Sequence, residues 1–170
     1  IEQSTNYPWD GDIALTVKKS PGTFALKIRI PGWVRGQVVP SDLSTYADNK
    51  RLTVTIAVNG TTVSTLPSDD GYLTLERKWK KGDKIQIHFD MEPRMVRANA
   101  QVAADKGRAA IERGPLVYCA EWADNTCDVL SVLLNQEPQY QLGHVTIANT
   151  DVQTLTTDAQ TLKFDERGHD

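Results

Sequence analysis

Residues 24–30 have the sequence Phe-Ala-Leu-Lys-Ile-Arg-Ile, in which apolar and polar side chains alternate with a period of two. This alternation is typical of a β-strand with one buried face. Pro31 and Gly32 end the stretch. The same period returns in four other stretches, residues 13–17, 52–58, 71–76 and 85–89. Asn59-Gly60, the strongest short hairpin signal, separates two of the predicted strands. The first half of the chain therefore predicts an all-β fold, an antiparallel β-sandwich.

The composition supports this fold class and excludes several others. Val, Ile and Thr number 14, 9 and 17 of 170 residues, which is typical of strand-rich proteins. A net charge of -3 gives no overall basic excess, so we expect no nucleic-acid partner. No apolar run approaches the ~20 residues of a membrane-spanning helix, so we expect no membrane partner.

A change in charge divides the chain. Residues 1–97 carry 14 basic and 11 acidic side chains, whereas residues 98–170 carry 5 basic and 11 acidic. We therefore predict a β-sandwich over residues 1–97 and a second, smaller β-rich unit over residues 98–170. The second unit has predicted strands at residues 109–112, 116–121, 144–148 and 160–164. Residues 128–135 fit either a short helix or a strand.

Candidate catalytic and metal-binding residues are few. The two cysteines and three histidines are scattered, without the paired spacing of a structural zinc site. We expect no catalytic, cofactor-binding or metal-binding residue in this chain. Cys119 lies in a predicted strand and is interpreted as a buried thiol, with a disulfide to Cys127 as the alternative.

Two further groups of side chains allow a functional and a structural interpretation. Asp10 and Asp12 fit a turn better than a calcium or catalytic site. His88 falls on the polar face of its predicted strand and is interpreted as solvated. The chain also has four tryptophans, which fit core packing or domain contact better than sugar stacking: Trp9, Trp33, Trp79 and Trp122.

Four phrases of the sequence carry a family resemblance. They are residues 7–11 (Tyr-Pro-Trp-Asp-Gly), 28–33 (Ile-Arg-Ile-Pro-Gly-Trp), 71–83 (Gly-Tyr-Leu through Trp-Lys-Lys-Gly-Asp) and 107–119 (Gly-Arg through Arg-Gly-Pro-Leu-Val-Tyr-Cys). In this order and spacing they resemble the C-terminal region of the β-L-arabinofuranosidase-type glycoside hydrolases, family 127 and its relatives. The resemblance covers roughly residues 5–125.

The resemblance implies that the chain is a fragment of a longer enzyme. In that family an upstream (α/α)₆ catalytic barrel carries a zinc-bound cysteine nucleophile and a glutamate acid/base, and three cysteines and a glutamate hold the metal. No motif of this chain matches those residues, so zinc is expected only in the barrel. The start of the chain shows no readable secretion leader, so it leaves the compartment unknown. We prefer a periplasmic or extracellular location over the cytoplasm.

The resulting expectation is a non-catalytic accessory region of a glycoside hydrolase. It would pack on the barrel of the same polypeptide, and a homodimer and a weak carbohydrate contact are its further expected partners. The alternatives are an autonomous carbohydrate-binding module and a structural spacer. Four residues are candidates for contact with another domain: Tyr7, Trp9, Met91 and Met95.

Overall fold

The computed structural model describes residues 1–19 and 22–162 and confirms the all-β prediction. Within these residues the strands, numbered in chain order, are β1 Glu2–Thr5, β2 Asp12–Thr16, β3 Thr23–Arg29, β4 Ser44–Tyr46, β5 Val54–Val58, β6 Thr61–Thr62, β7 Tyr72–Lys78, β8 Lys84–Phe89, β9 Pro93–Ala98, β10 Ala110–Arg113, β11 Leu116–Tyr118, β12 Val132–Leu134, β13 Gln141–Ile147, β14 Thr150–Thr156 and β15 Ala159–Thr161. Three short 3-10 turns cover Ala103–Asp105, Trp122–Asp124 and Val129–Ser131.

The largest sheet has the strand order β1-β2-β8-β5-β6, and each of its neighbouring pairs is antiparallel. β8 shows strict alternation of buried and exposed residues, as the sequence predicts. β3 and β7 form a separate two-stranded antiparallel sheet. Asn59 and Gly60 both have positive φ, at 52° and 80°, and connect β5 to β6 as the predicted hairpin turn.

One apolar cluster joins these two sheets. The five-stranded sheet contributes Leu15, Ile56 and Ile87, and the two-stranded sheet contributes Ile28 and Leu73. All five are inward-facing members of alternating strands, so the two sheets share one core. Shared burial of opposing sheet faces is the defining property of a β-sandwich.

A four-stranded sheet has the order β11-β10-β9-β4. β9 lies between β10 and β4, and both pairings are antiparallel. β4 belongs to the first part of the sequence, whereas the other three strands follow residue 92. The register places Tyr46 opposite Val96 and Glu112 opposite Arg94, so these residues share one sheet face.

The chain forms two compact units, Ile1–Val117 and Tyr118–Asp170. In the second unit β12 pairs with β15, and β13 pairs with β14 through a turn at Ala148 and Asn149, which both have positive φ. Residues 128–135 contain both structures that the sequence allowed, a 3-10 turn followed by β12. The predicted strand at 160–164 is present in part, and its last two residues lie outside the described residues.

The predicted boundary at residue 97 differs from the limit between the compact units, which follows Val117. The division into residues 1–97 and 98–170 stays a prediction about domains. Within residues 1–19 and 22–162, no helix is long and apolar enough to cross a bilayer.

Candidate functional site

Two of the distinctive sequence phrases meet at one partly buried place. We call it the motif junction and define it as residues 7–11, Met91, Arg113 and Gly114. Arg113 is only 8% exposed, and its Nη1 donates a hydrogen bond of 3.0 Å to the carbonyl oxygen of Trp9. The Met91 sulfur lies 3.9 Å from the same nitrogen. The arginine of the Arg-Gly-Pro phrase thereby fixes the backbone of the Tyr-Pro-Trp phrase.

Glycine is required at one position of the junction for steric reasons. A Cβ atom on Gly11 would lie 1.9 Å from the carbonyl oxygen of Phe89, which is far inside van der Waals contact. The Phe89 N–H also donates to the carbonyl of Gly11 at 3.0 Å. Residue 11 therefore packs directly on the end of β8.

The Ile-Pro-Gly-Trp phrase has a similar structural role. The N–H of Ile30 donates to the carbonyl of Gly71 at 2.8 Å, which joins this phrase to the Gly-Tyr-Leu phrase. Trp33 is 8% exposed, and its ring meets Phe89 edge-on with centroids 5.9 Å apart. These motif residues therefore take part in core packing and backbone hydrogen bonding.

The four candidates for domain contact fall into two groups. Tyr7 and Trp9 are half-buried and keep part of their surface exposed. Met91 and Met95 are buried, at 9% and 8% exposure, and so present little surface of their own. Contact of these residues with another domain stays a prediction.

The tryptophans differ in their surroundings. Trp33 and Trp79 belong to the core, as predicted, and the indole N–H of Trp79 donates to the carbonyl of Phe24 at 3.0 Å. Trp122 is 62% exposed, so core packing is wrong for this residue. It lies in a 3-10 turn of the second unit, where none of the described residues is buried.

The prediction of a buried thiol at Cys119 is wrong. β11 ends at Tyr118, one residue before Cys119, and the cysteine is exposed with its sulfur 3.8 Å from a carboxylate oxygen of Glu121. Cys127 is half-buried, and both cysteines are free. The alternative disulfide is therefore not formed in this structure.

Zinc, which the family resemblance implies for the parent enzyme, does not fit the described part of this chain. A protein zinc site needs three or four His, Cys, Asp or Glu ligands in one place. Residues 1–19 and 22–162 contain no such group of three. We therefore derive no chemistry through a metal here.

Asp12 and His88 form an exposed pair on adjacent strands. The register pairs β2 and β8 at these residues, and the imidazole Nδ1 lies 2.7 Å from a carboxylate oxygen of Asp12. Asp10 accepts a hydrogen bond of 3.0 Å from the N–H of Asp12, which confirms the predicted turn. A shallow depression beside Asp12 is lined by the apolar residues Ile13, Ala14 and Ile87 and by six polar residues, namely Ser4, Thr5, Asn6, Asp10, Asp12 and Gln86.

A partly buried ion-pair network centred on Arg94 lies at the four-stranded sheet, and the sequence analysis missed it. Arg94 is 3% exposed and binds Asp48 through both Nε, at 3.2 Å, and Nη2, at 2.6 Å. Its guanidinium lies 3.5 Å from the centre of the Tyr46 ring. The Tyr46 hydroxyl donates to Glu112 at 2.9 Å. We call Tyr46, Asp48, Arg94 and Glu112 the arginine network.

The arginine network shifts the acidity of its members in opposite directions. Burial raises the pKa of Glu112, despite the hydrogen bond from Tyr46 and the charge of Arg94. Burial and the hydrogen bond to Glu112 raise the pKa of Tyr46. Burial opposes ionisation of Asp48, but hydrogen bonds from Arg94 and the Lys50 backbone hold its pKa below the ordinary value. Asp48 therefore ionises readily in its pair with Arg94, whereas Glu112 loses its proton less readily than an ordinary glutamate.

One signal in the sequence pointed to this network. Arg94 lies between Pro93 and the apolar residues Met95 and Val96, and an arginine that is buried in such a place is usually paired. Its partner Asp48 lies 46 residues earlier. No local pattern could have identified that partner, because the pairing depends on β4 lying beside β9.

The fold and the motif contacts define the class of this region, a β-sandwich module whose sequence signatures serve buried structural contacts. Comparison with known proteins gives the family. Residues 1–91 match the profile described as "Beta-L-arabinofuranosidase, GH127 middle domain", and residues 93–161 match the "Glycoside hydrolase family 127 C-terminal domain". The chain therefore belongs to glycoside hydrolase family 127, of which it carries the middle and C-terminal domains.

Similar proteins agree with this assignment. A non-reducing end beta-L-arabinofuranosidase of Bifidobacterium longum subsp. longum is 36% identical over 134 residues, which are 76% of this chain and 18% of that protein. A solved GH127 beta-arabinofuranosidase is 52% identical, with a TM-score of 0.90 over 98% of this chain and 26% of its own. A GH127 beta-L-arabinofuranosidase from Geobacillus stearothermophilus T6 is 32% identical, with a TM-score of 0.79 over 96% of this chain and 23% of its own.

The chain thus spans about a fifth to a quarter of the length of these relatives. The family resemblance read from the four sequence phrases is confirmed. The boundary between the two family domains, at residue 92, falls between β8 and β9.

Proposed function

We propose that this chain is the non-catalytic accessory region of a β-L-arabinofuranosidase-type glycoside hydrolase. It packs on the (α/α)₆ catalytic barrel of the same polypeptide and supports the rim of the active site, and zinc belongs to that barrel. The observation that carries the proposal is the match of residues 1–91 to the middle domain and of residues 93–161 to the C-terminal domain of the family. Two relatives named as β-L-arabinofuranosidases support the substrate class.

The motif junction is the part of the first unit that suits contact with the barrel. Tyr7 and Trp9 are half-buried and keep part of their aromatic surface exposed, while Arg113 donates a hydrogen bond to the Trp9 carbonyl. Met91 is buried, and its sulfur lies 3.9 Å from the same Arg113 nitrogen. A contact segment whose backbone is held in advance loses less conformational entropy on docking.

Activity measurements test the assignment of catalysis to the barrel. The parent enzyme is expected to hydrolyse a nitrophenyl β-L-arabinofuranoside, whereas residues 1–170 alone are expected to show no turnover with or without zinc. Cys119→Ser in the parent is expected to retain full activity. Zinc-dependent turnover by the isolated chain that is lost in Cys119→Ser would overturn the proposal.

Stability measurements test the contact at the motif junction. Trp9→Ala is expected to lower the Tm of the parent by several degrees more than it lowers the Tm of residues 1–170, because only the parent contains the barrel. Leu43→Ala is the control, since Leu43 is 57% exposed and lies outside the junction. An equal decrease in Tm in the parent and in residues 1–170 would show that Trp9 is not part of the proposed contact.

The depression beside Asp12 and His88 supports a second candidate function, a weak carbohydrate contact. Its hydroxyl, amide and carboxylate groups are the types that hydrogen-bond sugar hydroxyls. Asp12→Asn with Gln86→Ala, two residues that line the depression, is expected to abolish binding of arabinose oligosaccharides in calorimetry, and Lys18→Gln is the control. Binding that the double substitution leaves unchanged would refute this contact.

A homodimer is the remaining partner in the proposal. Sedimentation of the parent enzyme is expected to show twice the mass of its chain. A monomer at micromolar concentration would refute it.

A further inference from the structure

The second unit has no hydrophobic interior of its own in its described part. None of residues 118–162 is buried. Their strands form two separate two-stranded sheets, β12-β15 and β13-β14. An isolated hairpin is at best marginally stable in water, because ordering each residue costs about 1–2 kcal/mol and burial must offset that cost. This unit therefore needs cover from another surface.

The β13-β14 hairpin has two faces of different chemistry. One face contains no charged residue, and its members are Gln141, Gly143, Val145, Ile147, Thr150, Val152, Thr154 and Thr156. We call it the uncharged hairpin face. Val145 and Ile147 on it are 43% and 57% exposed. The opposite face also has apolar residues, Leu142 and Leu155, but it carries the charged pair His144 and Asp151, with 3.1 Å between imidazole and carboxylate.

The charge of the surrounding unit restricts what can lie against this face. Residues 118–162 contain six acidic side chains and neither Lys nor Arg. The six are Glu121, Asp124, Asp128, Glu137, Asp151 and Asp158. A second copy of this unit would carry the same six acidic groups with no Lys or Arg to balance them, so like charges oppose self-pairing. Basic residues on the opposing surface would match the charge of the unit.

We infer that the uncharged hairpin face docks on an apolar protein surface that carries basic residues, in the part of the parent polypeptide outside residues 1–170. This inference rests on the proposed function, because it takes the chain to be part of a longer enzyme. The lengths of the relatives indicate the origin of this surface, because about three quarters or more of each related protein lies outside the matched region. Trp122 and Leu130, at 62% and 74% exposure, add apolar surface in the same unit.

Hydrogen exchange in the parent enzyme tests the docking. Amides of β13 and β14 are expected to exchange at least about tenfold more slowly in the parent than in residues 1–170. Ile147→Lys in the parent is expected to remove this difference. Thr146→Lys is the matched control, because it places the same charge one residue away, opposite Asp151 on the other face, and is expected to retain the protection.

Three outcomes would overturn the inference. The first is equal exchange of the hairpin amides in parent and fragment. The second is a dimer of residues 1–170 that Ile147→Lys dissociates and Thr146→Lys does not, which would make a second copy the occupant. The third is protection in the fragment that disappears when the chain is ended at Leu162. Arabinofuranosidase activity of the parent is measured separately, so loss of the docking and failure of the proposed function are distinguishable.

Discussion

Substitutions in the arginine network should have unequal costs, because the two charges differ in their access to water. Side-chain exposure is 3% for Arg94 and 30% for Asp48. Asp48→Asn keeps the size of the side chain but removes the charge that balances a fully buried guanidinium. Removing one partner of a buried ion pair costs about 3–5 kcal/mol, and we expect the lower end, about 3 kcal/mol, because Asp48 is partly exposed.

Arg94→Met should be less damaging. Methionine keeps the apolar stem of arginine, and the Asp48 carboxylate that remains can be hydrated. The loss then consists mainly of the contact with the Tyr46 ring and part of the ion pair, about 1–2 kcal/mol. The double variant Asp48→Asn with Arg94→Met should cost no more than Arg94→Met alone, because no unbalanced buried charge is left.

Urea unfolding of residues 1–170, followed by tryptophan fluorescence, measures these free energies. Trp33 and Trp79 report on the first unit because both lie in its core. Lys50→Met is the control, since its pair with Glu92 is 60% and 48% exposed and should contribute less than about 1 kcal/mol. Additive costs in the double variant, or a larger loss for Arg94→Met than for Asp48→Asn, would refute the reasoning.

Three further predictions test the fold and the electrostatics in the same unfolding assay. Gly11→Ala should cost about 3 kcal/mol, because its Cβ would lie 1.9 Å from the Phe89 carbonyl oxygen. Gly32→Ala should cost about 1 kcal/mol, because its Cβ would lie 3.2 Å from the Gln37 carbonyl oxygen. Equal losses of stability would contradict the steric argument. Trp79→Ala should cost about 3–5 kcal/mol and Trp122→Ala less than about 0.5 kcal/mol, in keeping with exposures of 2% and 62%. Because the pKa of Glu112 is raised in the folded state, the native protein loses stability as pH rises through that pKa. The free energy of unfolding of Glu112→Gln should therefore equal that of the native protein in acid. At pH 7 it should be higher by less than about 1 kcal/mol. A stability difference that does not grow with pH would contradict the assignment for Glu112.

Local pattern was enough to predict the strands that form the sandwich core. β3, β5, β7 and β8 follow from alternation, because each buries one face against the same cluster. β1 and β4 could not be read in the same way. β1 is exposed along its whole length, and β4 has three residues, so neither leaves a period of two in the sequence. These strands form because a neighbouring strand offers free hydrogen-bonding groups.

The candidate sites also differ in whether their contacts join residues that are close or distant in the sequence. The turn at Asp10 and Asp12 was predicted from two residues that make the contact themselves. The burial of Cys119 was predicted wrongly. Its exposure depends on where β11 ends, and that strand ends at Tyr118, one residue before the cysteine. The arginine network joins residues of β4, β9 and β10 and Asp48, which follows β4, and its geometry depends on a sheet order that sequence pattern alone does not specify.

The strand order of the four-stranded sheet has an evolutionary consequence. β4 lies within the family's middle domain and β9 within its C-terminal domain, yet they are hydrogen-bonded neighbours, and the pair of Asp48 with Arg94 crosses the same boundary. A recombination event at residue 92 would give one product a strand without its sheet and the other a sheet with an unpaired edge, which favours aggregation. The two domains are therefore expected to be inherited together, and exchange between family members should succeed only when both are transferred as one block.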